Sequence, residues 1–110
     1  MKIAIPVNEK NLDTIIAEKF GRCKYFLVYN TENNSNEYIL NEGFNANGGA
    51  GIKAAQTIID SKVDSLISYQ LGENAIDLLK SVNISVFKPK NNLVQENLAS
   101  LLNNELEKLF

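Results

Sequence analysis

The sequence predicts an α/β fold, a mixed five-stranded sheet of order 3-2-1-4-5 with strand 2 antiparallel, flanked by helices. Three observations carry this. Two of the first three strand-like runs, Tyr25–Tyr29 and Glu37–Phe44, are separated only by the polar stretch Asn30–Asn36, so the chain opens with a hairpin. From Ile52 onward helical and strand-like patterns alternate, which requires parallel crossovers. The apolar runs are far too short to span a bilayer, so these elements have to pack on one another.

The first strand is Lys2–Val7, with Pro6 at its end because proline has no ladder N–H to give. Thr14–Lys19 reads as a short helical turn with Ile15, Ile16 and Phe20 inward, ended by Gly21. Tyr25–Tyr29 is aromatic and β-branched, the strongest strand signal in the chain. In Glu37–Phe44, Tyr38 and Leu40 share one face and Ile39 takes the other. Asn45–Gly51 is a glycine-rich loop, and Ile52–Ser61 a helix with Ile52, Ala55, Ile58 and Ile59 on its apolar face. Ser65–Ser68 is a short apolar strand, Tyr69–Glu73 a turn, and Asn74–Val82 a helix with Ala75, Leu78, Leu79 and Val82 inward. Asn83 suits a left-handed cap. Ile84–Phe87 is the last strand. A final helix, Leu93–Lys108, carries Val94, Leu98, Leu101, Leu102, Leu106 and Leu109 on one stripe, and what the sheet leaves of that stripe is free to pair two chains. No repeat, linker or second domain is apparent in residues 1–110, and the architecture is ribonuclease-H-like.

Composition narrows the chemistry. The chain has 45% apolar and 22% charged residues and a formal net charge of −2, which gives no electrostatic case for wholesale binding to nucleic acid or membrane. The N-terminus reads directly as strand, which predicts no signal peptide and a cytoplasmic protein. There is no histidine, so Ser-His-Asp and Cys-His mechanisms, imidazole ligation and a histidine pH switch are all excluded within one chain. The single cysteine, Cys23, excludes an intrachain disulfide, a Cys-x-x-Cys pair and a multi-cysteine zinc site. A nuclease on this type of sheet needs clustered carboxylates for two metal ions, and neither Lys2–Val7 nor Ser65–Ser68 contains one.

The predicted topology gathers the remaining chemistry at one sheet edge. Asn8 after strand 1, Gly21–Lys24 before strand 2, the glycine loop after strand 3 and the turn Tyr69–Asn74 after strand 4 all emerge there. The strand order switches between strands 1 and 4, the usual place for a ligand crevice. Gly48, Gly49 and Gly51 open a helix, and backbone amides in such a loop can cradle an anion; equally, the glycines can serve only a tight turn and close packing. The loop matches neither the Walker A nor the Gly-x-Gly-x-x-Gly pattern. Lys53 in the first helical turn is poorly placed for the helix dipole unless an anion lies nearby. Arg22 offers a fork of donors for an oxyanion or sulfide-rich group, or is a solvated basic turn with Lys19 and Lys24. Cys23 is either a thiolate metal ligand or a small buried hydrophobe. Gly72 and Asn74 either close the crevice or form a plain helix entry with Asn74 as cap.

Ile3–Val7, Phe20-Gly21-Arg22-Cys23-Lys24-Tyr25-Phe26, Gly48-Gly49-Ala50-Gly51-Ile52-Lys53-Ala54-Ala55-Gln56, Gly72-Glu73-Asn74-Ala75 and Ile84-Ser85-Val86 follow one another in an order that resembles the dinitrogenase iron–molybdenum cofactor biosynthesis family, the NifX-like domains. The resemblance covers nearly the whole chain and implies a single domain of ribonuclease-H-like fold. It implies binding or carriage of an iron–sulfur or molybdenum–iron–sulfur cluster or its precursor, with cofactor-assembly or acceptor proteins as partners and no catalysis. The other reading is a regulatory or protein-interaction domain with an empty pocket. Family members often carry histidine just before the Phe-Gly-Arg segment, where this chain has Lys19, and some carry one near the glycine loop, where it has Asn47. Cys23 and an electrostatic cradle built from Asn8, Arg22, Gly48, Gly49, Gly51, Lys53, Gly72 and Asn74 are then the expected means of holding a cluster.

Overall fold

The computed structural model describes residues 1–110. Its elements run β1 (Lys2–Val7), β2 (Tyr25–Asn30), β3 (Ser35–Leu40), α1 (Ala50–Asp60), β4 (Ser65–Ile67), α2 (Glu73–Ser81), β5 (Ser85–Phe87) and α3 (Val94–Leu102), with a 3-10 turn at Phe20–Arg22. The strands form one sheet of order β3-β2-β1-β4-β5, as the alternation of elements predicts. β2 is antiparallel to β1 and β3, while β4 is parallel to β1 and β5. Side-chain alternation sends Ala4, Phe26, Val28, Leu66 and Val86 into a core with α1 and α2. It sends Ile3, Ile5, Val7, Leu27 and Ile67 into a second core with α3. No helix is long and apolar enough to cross a membrane.

Four expectations are corrected. The helical turn at Thr14–Lys19 is not there. Ile15 and Ile16 are extended, as suits adjacent β-branched residues, and make isolated bridges to Leu93 and Val7. Ile16 and Phe20 do point inward, but Ile15 is 52% exposed. The third strand starts earlier and ends earlier than Glu37–Phe44. Asn34 closes the hairpin in the left-handed region (φ 55°). Asn41 then folds inward to accept the Gly43 amide at 2.9 Å, which ends the strand. The first helix begins at Ala50, and its buried stripe is Ala54, Ala55, Thr57 and Ile58, leaving Ile52 exposed.

The fourth correction concerns the C-terminus. The last helix stops at Leu102, where Asn103-Asn104 follows and Asn104 turns left-handed (φ 58°). Residues 105–110 then run back along β5: Lys88 donates to the Glu107 carbonyl at 2.8 Å and Leu109 to that of Val86 at 2.7 Å. Of the expected leucine stripe only Val94, Leu98 and Leu101 are buried, and the rest of this segment covers the β5 edge instead of extending a helix.

Candidate functional site

β1 ends, β2 begins and α1 and α2 start at one end of the sheet. The crevice expected there between β1 and β4 is occupied by the chain itself. β2 holds one side of β1 as far as Val7, and β4 pairs with β1 only at Ile3 and Ala4. Beyond Ala4 the segment Ile15–Ala17 fills the vacated side: Ala17 donates to the Pro6 carbonyl and Ile16 to that of Asn92, both at 2.8 Å. The open space lies on either side of this insert. One cavity of about 330 Å³ brings together Asn8, Ala17, Lys19, Arg22 and Cys23. An adjoining one of about 340 Å³ is lined by Ile15, Ile16, Glu18, Tyr69 and Asn92. A larger cavity of about 420 Å³ lies near the far end of α1, where Lys2 and Lys62 are outnumbered by Glu37, Glu42 and Asp60. That charge balance does not suit an anion.

Asn8 is exposed, and its side-chain oxygen accepts the Lys24 amide at 3.0 Å, tying the start of β2 to the end of β1. Arg22 is exposed and donates from Nη1 to the Ala46 carbonyl at 2.5 Å. It therefore links the first cavity to the glycine loop, with the rest of its fork still available. Cys23 departs from the metal-ligand expectation. It is 1% exposed, and its sulfur donates to the Phe20 carbonyl at 3.4 Å. Burial pushes the thiol up from 9.0 to about 12, against the smaller opposing effect of the Asn41 hydrogen bond. In this state the sulfur keeps its proton and is hydrogen-bonded within the core, so it is not presented as a thiolate ligand. Nor does the fold assemble a substitute, since no group of three or more Asp, Glu or Cys side chains is close enough to hold a metal ion.

Asn41 carries structural weight that the sequence reading missed. Buried at 1% exposure, its amide donates to the carbonyls of Gly21 (3.2 Å) and Cys23 (2.8 Å). It thereby joins the Phe-Gly-Arg turn to the segment after β3. The turn also rests on α1: a Cβ on Gly21 would lie 3.0 Å from the Gly51 nitrogen. A side chain at Gly43 would collide with the carbonyl oxygens of Ala50 and Gly21. An Asn two residues before Gly was the available signal, hidden among many other asparagines.

The glycine loop ends in Gly49, the α1 N-cap, at φ 66°. Gly48 and Gly49 are exposed, with nothing within 4 Å of a Cβ at either. α1 has neither a side-chain cap nor an acidic residue in its first turn, so its amides and positive end are unneutralised. Lys53 lies exposed on the outer side of α1 with Gln56. α2 begins beside α1, a Cβ on Gly51 coming within 4.0 Å of the Ala75 Cβ. Its N-cap is Gly72, not Asn74, which is exposed in the first turn, and Glu73 already complements the dipole there. The fold thus draws Arg22 to the glycine loop and sets Gly51 beside the α2 entry, while Cys23 is sealed beneath.

A family model described as dinitrogenase iron–molybdenum cofactor matches residues 1–104. The chain belongs to the dinitrogenase iron–molybdenum cofactor family. Among curated relatives, an uncharacterized protein of Methanocaldococcus jannaschii is 31% identical over 111 residues, spanning 98% of this chain and 91% of its own. Among solved structures, the apo form of the orange protein from Desulfovibrio gigas superposes with a TM-score of 0.90 at 26% identity, covering 97% of this chain and 91% of that one. A Thermotoga protein with a provisional NifB assignment superposes with a TM-score of 0.84 at 31% identity, covering 98% and 92%. Membership of this family agrees with the resemblance read from the Phe-Gly-Arg and glycine-loop segments.

Proposed function

We propose that this chain is a non-catalytic carrier or scaffold for an anionic metal–sulfur cofactor or precursor, of the iron–sulfur or molybdenum–iron–sulfur kind, which it passes to cofactor-assembly or acceptor proteins. The cargo is held by hydrogen bonds and charge rather than by protein–metal bonds. The observation that carries the reading is the unneutralised N-terminus of α1 behind exposed Gly48 and Gly49, with Arg22 fastened to the same loop. Amides of Gly49 to Ile52 can donate to sulfur or oxygen atoms of the cargo, and the free donors of Arg22 supply a full positive charge. Family membership and likeness to a protein solved in its apo form support the same reading. The sealed Cys23 thiol and the lack of a metal-ligand cluster argue for non-covalent holding.

The test is a titration of tetrathiomolybdate into wild type, Arg22→Ala and Lys62→Ala at low and high salt. A charge-assisted hydrogen bond contributes about 1.5–3 kcal/mol, so Arg22→Ala weakens uptake by roughly ten- to a hundredfold. Lys62→Ala, at the far end of α1, leaves it unchanged. Equal affinities in all three proteins, or no uptake by wild type, would overturn the cradle and leave the interaction-domain reading.

A further inference from the structure

Ser68 is 1% exposed, and its hydroxyl is the one buried side-chain polar atom in the chain with no hydrogen-bond partner. An orphaned buried hydroxyl costs stability, and a serine at such a place calls for a reason. The position is informative. Ser68 follows β4, and its amide still donates to the Phe87 carbonyl at 3.1 Å, so the ladder to β5 continues through it. Leu66 faces the core under α1 and α2 and Ile67 the core under α3. Alternation therefore turns the Ser68 side chain toward the α1–α2 layer, at the end of the sheet where both helices begin. The two helix entries meet there through Gly51 and Ala75, a glycine backbone against one methyl group. Glu73 is exposed in the α2 entry, so the unneutralised amides on this side belong to α1.

We infer that the Ser68 hydroxyl is a binding donor of the anion site, giving its hydrogen bond to an oxygen or sulfur atom of an anion seated between the α1 entry and the end of β4. This rests on the carrier reading and names a residue of that same site. The unliganded chain bears an unpaired hydroxyl, and the anion supplies its acceptor. Stability is given up in the empty protein and recovered on loading. Ser68 is 1% exposed, so the anion makes this bond only when it reaches inward to the strand end.

Two measurements on Ser68→Ala separate this from a structural role. In thermal unfolding without ligand, removing an orphaned hydroxyl raises the midpoint by roughly 4–8 °C. In titrations with tetrathiomolybdate, and with molybdate as the oxygen analogue, the same variant binds about tenfold more weakly than wild type. A lowered midpoint shows that the hydroxyl already bonds within the fold, and overturns the inference. Unchanged affinity in Ser68→Ala, with wild type binding and Arg22→Ala weakened, overturns the Ser68 role and leaves the cradle intact. A wild type that binds neither anion overturns both.

Discussion

A thiol at 1% exposure has almost no water to stabilise its charge, and Cys23 keeps its proton to about 12 in the folded chain against 9.0 for the free thiol. The folded state therefore binds more protons than the unfolded state between those values. The stability this contributes is intact below pH 9 and drains away as the pH climbs toward 12. Between pH 9 and 10.5 wild type should lose about 2 kcal/mol more than Cys23→Ala, read from urea melts at the two pH values. Parallel losses would place the thiol in contact with solvent. Cys23→Ser is expected to leave uptake of tetrathiomolybdate unchanged, whereas a thiolate ligand would show as loss of loading. Residue type alone cannot separate these roles, because Arg22 and Lys24 beside Cys23 suggest an activated thiolate. The deciding feature is a burial created by Phe20, Asn41 and the packing of α1.

At the scale of elements, the turn Phe20–Arg22, the segment after β3 and the start of α1 are held together by backbone contacts that leave no room for a methyl group at Gly43. Gly43→Ala should cost about 2 kcal/mol or more in chemical unfolding, while Gly48→Ala, with open space around it, stays within about 1 kcal/mol of wild type. Similar costs at the two positions would mean that the loop is packed differently. The C-terminal run along β5 makes a second prediction. Deleting residues 104–110 uncovers the backbone edge of β5, so the shortened chain should self-associate more strongly than wild type in sedimentation. Much of this level was legible in the sequence. β1, β2 and the order of every later element follow from aromatic and β-branched runs and from helical spacing. The parts that were not legible depend on distant partners. Ile15–Ala17 becomes extended because β1 offers a free edge beyond Ala4, and residues 105–110 leave the helix because β5 offers another. Local pattern cannot reveal either opening. The glycines and Arg22 could be flagged from sequence; Asn41, two residues before Gly43, was hidden among the other asparagines, and Ser68 carried no signal, since their importance lies in carbonyls met across the fold and in an absent partner.

For the whole molecule, the net charge is −2, and the proposed anion site rests on local arrangement, not on overall charge. The sheet order delivers Arg22, the glycine loop and both helix entries to one end, although those segments lie far apart in sequence. The acidic cavity toward the far end of α1 marks the contrast, since Glu37, Glu42 and Asp60 outnumber its lysines. The measurement that tests the central claim most directly is a titration of tetrathiomolybdate into isotope-labelled protein, followed by the shifts of its backbone amides. The account predicts saturable shifts concentrated at Gly48 to Ile52, with Arg22 moving in step and Lys2, Asp60 and Lys62 unmoved. Shifts centred on Lys2 and Lys62, or no saturable shift at the glycine loop, would contradict it.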